Sequence, residues 1–524
     1  MAALSVLTGV KNWRPVQVAE RVSSRMQRDG TWLVIGILAL VIPFAVILSY
    51  VATILAYGLS YYILYYVGMA VAVVLTAIYV FTRNDPARFA LYALLPAMPL
   101  WNVFVPPGRF GVSVFDCVMF FVLMVECWRR IWKTDKQAFS FFPSRSLLWI
   151  QLLCIPVVLL SQFHGVSIWT FVENFLLYLF FLLCLREFKT KEGTDRLLSY
   201  FTVGVLLLAI GVAIEKLTGY NFSMHGVNYN AVSLGEGAIV HRPAGFFQDP
   251  QKTAQFMSCA GVLLFSIALG GRFMRGSVRL CVIGAFFAAF AALVLTLSRS
   301  SLIAGTLALP IVFIFGTRGG ALAKFGVGLT VMLVLIVAIL VPADTLISLL
   351  PRNLVDRFDN LNDSFYFRVR VWLDTWNMFA DHPFSGIGLG SFRDYLLANN
   401  KGMRGYFGIG GLRGAAYVPD QPESGYFKIL YEAGVLGCTA TLLLVVDTIR
   451  RAMKVLLSRT TEQLAKVEVL GALITVIVFG ISFTTLFTTS DERDAAILLI
   501  PLAIIWARSM ALEQAGGIAP FAKS

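Results

Sequence analysis

Charge, histidine and ordered cysteine spacing are all scarce in this 524-residue chain. Charged residues make up 14% of it and hydrophobic residues 58%, whereas soluble domains average about 25% and about 45–50%. The seven cysteines lie within or beside apolar segments without paired spacing, so the sequence supports neither a disulfide framework nor a zinc site. The four histidines show no metal-ligand spacing either. We therefore expect no metal and no other cofactor.

A cleavable signal peptide and a concentrated basic patch are not expected from the sequence. Residues 1–31 are polar and basic but contain no small-residue cleavage motif, which predicts a cytoplasmic tail. The net charge of +13 is spread between apolar segments, as the orientation signals of membrane proteins are. This distribution argues against a nucleic-acid-binding protein.

Long apolar segments dominate instead. Because a membrane-spanning helix needs about 20 mostly apolar residues, we predict an all-α polytopic membrane protein with about fourteen transmembrane helices. Their approximate ranges are 32–56, 59–81, 87–105, 112–132, 146–162, 168–186, 197–215, 251–270, 278–296, 300–316, 322–341, 424–448, 466–487 and 494–510. The predicted regions are a tail (1–31), helices 1–11 (32–341), a large loop (342–423), helices 12–14 (424–510) and a second tail (511–524).

The distribution of basic residues orients these helices. Lys and Arg are enriched in cytoplasmic loops of membrane proteins, and most of the 43 fall there if the N-terminus is cytoplasmic. Only Arg109, Arg299 and Arg493 then remain in short outer turns. Both termini are therefore expected in the cytoplasm, with two long loops, about 216–250 and 342–423, on the outer face.

The second loop carries most of the unusual polarity. Loops longer than about 12–15 residues are usually functional or disordered, and this one contains its own helix signal. The signal is a near-helical spacing of Phe365, Val369, Trp372, Trp376 and Phe379. It predicts an amphipathic helix lying on the bilayer surface, a placement compatible with arginines held over a lipid headgroup.

Arginines form three separate groups on the predicted outer face. Arg299 lies at the outer end of a span, Arg242 in the first long loop, and Arg368 with Arg370 in the second. Guanidinium groups match phosphate oxygens as paired donors, so this pattern predicts a lipid-linked phosphate or diphosphate ligand. The alternative for Arg299 is snorkelling to the interface, because a charge at the bilayer centre costs about 2.5–3.5 kcal/mol.

Carboxylates near the twelfth span supply candidate bases. Glu423 and Asp420 lie just before it, and a desolvated carboxylate there can take a proton from a hydroxyl nucleophile. The alternative is ion pairing with an arginine, which is favoured for Asp420 and stays open for Glu423. Glu432, two turns into the span, is expected to make a structural hydrogen bond between helices, and structural roles are also favoured for Glu173 and Glu215.

A glycine-rich segment invites a nucleotide-binding interpretation that the sequence does not support. Gly386-Ile-Gly-Leu-Gly follows a predicted helix, whereas a dinucleotide fingerprint needs a preceding strand. We predict a turn at this segment. His382, which precedes Pro383, is typical of a helix end or a turn.

Four segments of the C-terminal half resemble the O-antigen ligase and polysaccharide polymerase superfamily of bacterial inner membranes. Their order and spacing also fit, while the first seven spans resemble it only in hydropathy. The segments are RPAGFFQDPQKTA (242–254), LTLSRSSLIAG (295–305), RVRVWLDTWNMFADHPFSGIGLGSF (368–392) and ESGYFKILYEAGVLG (423–437).

This resemblance implies a multi-pass inner-membrane glycosyltransferase with its active site facing the periplasm. Members of the family move a glycan from an undecaprenyl diphosphate donor to an acceptor hydroxyl without a metal. Arg299 and Arg368 match family arginines that would hold the diphosphate and stabilise its developing charge. Arg242 matches a further arginine, and Arg370 and Asp420 are expected to support substrate binding.

One departure from the family pattern distinguishes two activities. Where ligases for lipid A-core carry a proposed catalytic histidine, this chain has Glu423. We therefore expect a polymerase that joins lipid-linked repeat units, with Glu423, Arg299 and Arg368 as catalytic residues. The expected partners are lipid-linked donor and acceptor glycans, and a chain-length regulator or export complex.

Two alternatives stay open. One is a ligase that transfers glycan to lipid A-core or another acceptor. The other is a flippase or transporter of lipid-linked oligosaccharides, in which functional charges are expected near the bilayer midplane. The arginines and carboxylates singled out above cluster on the predicted outer face, which favours an enzyme over a flippase or transporter.

Overall fold

A computed structural model describes most of the chain from residue 85 to residue 515. The described residues are 85–101, 113–132, 142–219, 222, 231–234, 238–247, 249–270, 276–316, 361–398, 424–484 and 491–515. All of them belong to one compact unit that begins at Thr76.

Helices account for nearly all of the described residues. They are α1 (Pro86–Ala97), α2 (Val114–Trp132), α3 (Arg145–Leu159), α4 (His164–Phe188), α5 (Lys191–Thr218), α6 (Pro250–Gly270), α7 (Gly276–Leu295), α8 (Arg299–Gly316), α9 (Leu361–Asp381), α10 (Phe392–Ala398), α11 (Gly425–Leu457), α12 (Gln463–Phe483) and α13 (Glu492–Ala515). The predicted helical fold is therefore confirmed over this part of the chain.

Eight of these helices are long and apolar enough to cross a membrane, namely α4 to α8 and α11 to α13. Three shorter apolar helices, α1 to α3, fall where spans 3 to 5 were predicted. The predicted spans at 32–56, 59–81 and 322–341 lie outside the described residues. The chain is thus a multi-pass membrane protein.

One feature of the first long loop was not predicted. Strands β1 (Ala231–Leu234) and β2 (Ala238–His241) pair antiparallel, with Ala231 opposite His241. Strands of four residues are too short to show an alternating apolar pattern that stands out from the surrounding sequence. The hairpin ends one residue before Arg242, and so leads the chain directly into a predicted site residue.

Helix α6 lies at the centre of the bundle, in contact with α7, α8, α12 and α13. Small residues allow the close approach of its neighbours, as is usual between membrane helices. A Cβ on Gly261 would meet the Phe290 ring, and one on Gly305 would meet the hydroxyl of Ser258. Helices α7 and α8 instead expose large apolar side chains, including Phe287, which suits a lipid-facing surface.

Candidate functional site

The predicted arginines gather at one end of the bundle, which is here called the arginine end. This end contains the first turns of α4, α6, α8, α11 and α13. Hydrogen bonds or ion pairs connect these turns, or the segments just before them, to one another or to the loop after α9. Arg299 is the first residue of α8 and follows a three-residue turn after α7. Leu297 in that turn has a left-handed backbone, with φ of 54°. Arg299 therefore adds its charge to the positive pole of a helix N-terminus, where anions are favoured.

Arg242 is bonded to the α7–α8 turn that directly precedes Arg299. Its Nε donates a 2.8 Å hydrogen bond to the carbonyl oxygen of Thr296, and only 6% of the residue is exposed. This bond joins the end of the first long loop to the α7–α8 turn. The geometry gives Arg242 a positioning role, whereas the sequence had predicted contact with the substrate; that contact stays a prediction.

Arg368 reaches the same region from α9. Its charge lies close enough to Arg299 to repel it, although the two residues are far apart in the sequence. Both side chains are partly exposed. Two cations held near each other at a partly desolvated surface favour an anion that contacts both, because the anion relieves their repulsion. A diphosphate meets this requirement.

Helix α9 is fixed to the first half of α11. The ring of Trp372, one turn beyond Arg368, stacks on Phe427 with centroids 5.5 Å apart and planes tilted by 14°. Val371, Thr375 and Met378 form the buried face of α9. The described members of the predicted aromatic stripe flank this face and are partly exposed, with Trp376 at 53%. Arg368 is thereby held relative to α11, which begins two residues after Glu423.

Helix α11 is broken at Gly434, where φ is 60° and ψ is −154°. A loop after α9 inserts its backbone into the break. The amides of Ile387 and Gly388 donate to the carbonyls of Tyr431 and Glu432, at 2.9 and 3.0 Å. In return, the amides of residues 435 and 436 donate to the carbonyls of residues 383 and 384, at 2.8 and 3.1 Å. These bonds satisfy the backbone groups that the break would otherwise leave unpaired.

The glycines of this loop are required by space and backbone angle. Gly386, Gly388 and Gly390 all have positive φ values of 66°, 116° and 69°. A Cβ on Gly386 would overlap the Tyr431 carbonyl, and one on Gly388 would overlap the hydroxyl of Ser161. The prediction of a turn at this segment is confirmed, and so is the placement of His382, which follows directly after α9.

Buried charges lie inside the arginine end. The ammonium of Lys428 is 4.0 Å from Glu432, and that of Lys252 is 3.3 Å from Asp491. Glu432 accepts a 3.1 Å hydrogen bond from its neighbour Tyr431 and a backbone hydrogen bond from Gly390. Its structural bonds therefore run within α11 and to the loop after α9, rather than between two helices. Neither lysine was predicted as a site residue from the sequence. Their signal is a charge within the first turns of an apolar span, which is costly unless it is paired.

Arg493 fixes the end of the first long loop. It donates to both carboxylate oxygens of Asp491, at 2.8 and 2.7 Å, and to the carbonyl of Phe246 at 3.0 Å. Burial alone would raise the pKa of Asp491, but the charges of Arg493 and Lys252 and the hydrogen bonds from Arg493 lower it overall. Asp491 is thus held as a carboxylate that anchors both cations.

Glu215 supports the same loop from α5. Its Oε2 accepts hydrogen bonds from the amides of Ala244 and Gly245, at 2.8 and 2.6 Å. The structural role predicted for Glu215 is confirmed. Arg242 is followed directly by a segment that α5 and α13 both hold.

Some predicted site residues cannot be placed. Glu423 and Asp420 lie outside the described residues, and for Arg370 the structure describes the backbone within α9 but not the side chain. The structure therefore brings Arg242, Arg299 and Arg368 to one region, while the binding and catalytic roles of all six residues stay predictions.

Comparison with known families agrees with the resemblance. A family model described as O-antigen ligase matches residues 284–442, a range that includes Arg299, Arg368 and Glu423. The match supports the resemblance to the O-antigen ligase and polymerase superfamily over these residues. No curated protein matches the chain.

Proposed function

We propose that this chain of the O-antigen ligase superfamily is a polysaccharide polymerase of the bacterial inner membrane. It would transfer a growing glycan from undecaprenyl diphosphate to a hydroxyl of another lipid-linked repeat unit on the periplasmic face. The observation that carries the proposal is the proximity of Arg299 and Arg368, supplied by two separate elements at one end of a membrane bundle. The family match supports glycosyltransferase-type chemistry at this end.

In the proposed reaction the acceptor hydroxyl oxygen bonds to the anomeric carbon of the donor glycan. The bond between that carbon and the diphosphate oxygen breaks, and its electron pair leaves with the diphosphate. Arg299 and Arg368 bind the leaving diphosphate and stabilise its growing negative charge. The hydroxyl proton passes to the carboxylate of Glu423, and no metal takes part.

Glu423 also bears on the choice between polymerase and ligase. Ligases for lipid A-core carry a histidine at the matching position, whereas this chain carries Glu423. This difference favours a polymerase. The family description itself names a ligase, so a ligase for lipid A-core or another acceptor is the second candidate. The two differ in what a null mutant accumulates, which is single units for a polymerase and unattached full-length polymer for a ligase.

The test is elongation of purified lipid-linked units by the reconstituted protein. Arg299→Ala and Arg368→Ala are each expected to lower the rate about 100-fold or more, as loss of one charge-stabilising donor does. Arg450→Ala is the matched control, because Arg450 is an exposed arginine on α11 at the opposite end of the bundle. Normal elongation by both test variants overturns the assignment. Elongation by the unmodified protein without other components excludes a flippase.

A further inference from the structure

An exposed apolar stripe runs along α9 on the side opposite its buried face. It consists of Val369, Leu373, Trp376 and Ala380, here called the α9 stripe, which recur at helical spacing and so share one face. Leu373 is 60% exposed and Trp376 is 53% exposed. Trp372, which belongs to the aromatic stripe predicted from the sequence, is instead stacked against protein. The outward-facing residues of α9 are therefore a different set from the predicted one.

Two attachments place α9 across the arginine end. In its first half, Arg368 is close enough to Arg299, the first residue of α8, for their charges to repel. Just after its end, the carbonyls of Pro383 and Phe384 accept hydrogen bonds from amides at the break in α11. The helix between these attachments is about 20 Å long, at 1.5 Å per residue. Because both attachments are to the arginine end of membrane helices, α9 runs along this end of the bundle and does not project away from it.

The second attachment also fixes the level of α9 relative to the apolar surface of the bundle. The amides that bond to residues 383 and 384 belong to Val435 and Leu436 of α11. Val435 is 47% exposed and begins the exposed apolar face of α11, which continues through Leu442, Val446 and Ile449. An apolar face of a membrane-spanning helix is matched to the hydrocarbon of the bilayer. The end of α9 therefore lies at the boundary of the bilayer.

We infer that the α9 stripe rests on the lipids of the bilayer leaflet at the arginine end. A helix with one apolar face and one polar edge lies in the plane of the membrane interface. The polar edge of α9 contains the exposed residues Asn377 and Asp381, which lie beside the stripe. Trp376 suits the boundary because its ring is apolar and its N–H is polar. Lipid contact covers apolar side chains that water would otherwise surround.

This contact has a consequence for Arg368, which directly precedes the first member of the α9 stripe. The bilayer holds Arg368 at the depth of the lipid headgroups, where long cationic side chains meet phosphate. The consequence rests on the proposed function, because the diphosphate of a lipid-linked donor lies at that same depth. The membrane itself, in addition to α11, then positions Arg368 for the donor.

The test measures quenching of a fluorescent amino acid introduced at single positions by stop-codon suppression. The purified full-length protein is placed in nanodiscs of phosphatidylethanolamine and phosphatidylglycerol, with a nitroxide on some acyl chains next to the headgroup. Trp376 is replaced in the test variant, and its exposed neighbour Asn377 in the matched control. The nitroxide is expected to quench at position 376 about twofold or more strongly than at 377, because the apolar face of an interfacial helix lies about 5–10 Å into this boundary. Iodide in the water is expected to quench in the reverse order.

Replacement of Leu373 repeats the test on a second member of the stripe if the variant at position 376 does not unfold cooperatively. Stronger nitroxide quenching on the stripe than at position 377 supports the inference. Equal nitroxide quenching at the two positions overturns it. Shielding of the stripe from both quenchers also overturns it, because protein then covers the stripe. Quenching needs no glycan transfer, so a failure of the proposed function leaves this result unchanged.

Discussion

Arg242 and Arg299 are close in space but are held in different ways. The guanidinium of Arg242 is buried and bonded to the Thr296 carbonyl. Arg299 is half-buried beside the like charge of Arg368. The first arrangement stabilises the fold, whereas the second leaves two like charges near each other, as the proposed diphosphate site requires. The same residue type thus has a structural role at one position and a proposed binding role at the other.

This difference predicts unequal effects of two alanine substitutions on stability. Arg242→Ala leaves the buried Thr296 carbonyl without its donor, a loss of about 1–3 kcal/mol, and Tm is expected to fall. Arg299→Ala removes a half-buried side chain beside the like charge of Arg368, so Tm is expected to fall less than for Arg242→Ala while elongation is lost. Thermal unfolding in detergent measures both. A larger fall in Tm for Arg299→Ala than for Arg242→Ala contradicts this assignment of roles.

At the scale of elements, the broken helix α11 determines how the loop segment and the membrane bundle fit together. A Cβ on Gly434 would lie 2.5 Å from the carbonyl oxygen of Phe384, and its positive φ is unfavourable for any other residue type. Gly284 in α7 is a contrasting position, since a Cβ there would meet nothing within 4 Å.

Gly434→Ala is therefore expected to lower Tm and to reduce elongation, because the loop at 383–388 can no longer keep its four backbone bonds. Gly284→Ala is the matched control, and it is expected to raise stability by about 0.5–1 kcal/mol, as replacement of a mid-helix glycine does. Tm and elongation rate are measured for both variants in the same detergent. The same Tm and the same elongation rate in both variants would show that neither stability nor activity depends on the break in α11.

The helices could be predicted from the sequence, but their meeting points could not. Apolar segments of about 20 residues mark membrane helices by a local property, so α4 to α8 and α11 to α13 were predicted. The pairing of Arg299 with Arg368 depends on how α8 and α9 meet, which no local pattern encodes. The break in α11 likewise depends on the loop at 383–388, which precedes Gly434 by about 50 residues. Lys252 and Lys428 were not predicted, because a buried lysine is explained by the carboxylate it pairs with. Those carboxylates, Asp491 and Glu432, are known only from the structure.

At the scale of the whole molecule, the charged groups form two different ends of the bundle. The arginine end carries Arg299 and Arg368 near its surface. The opposite end has ion pairs such as Arg508 with Glu468, at 2.9 Å, which join α13 to α12. If the arginine end faces the periplasm, as proposed, the short turn between α11 and α12 faces the cytoplasm.

Cysteine labelling in intact cells tests this orientation. Phe384→Cys places a thiol at an exposed position of the arginine end, and Thr460→Cys places one in the exposed turn after α11. A maleimide that does not cross the membrane is expected to label the first variant in intact cells, and the second only after lysis. The unmodified chain, with its own cysteines, provides the background. The reverse pattern of labelling contradicts the proposed orientation.

The break in α11 has a consequence for biogenesis. A helix entering the hydrocarbon must satisfy its own backbone, since each unpaired group there costs several kcal/mol. Part of α11 satisfies its backbone through residues 383–388, which the ribosome makes earlier. If the arginine end faces the periplasm, as proposed, that segment crosses the membrane before α11 is complete. The backbone of α11 is completely hydrogen-bonded only after residues 383–388 dock against it. Translocation of this loop segment and insertion of α11 are therefore coupled steps of assembly.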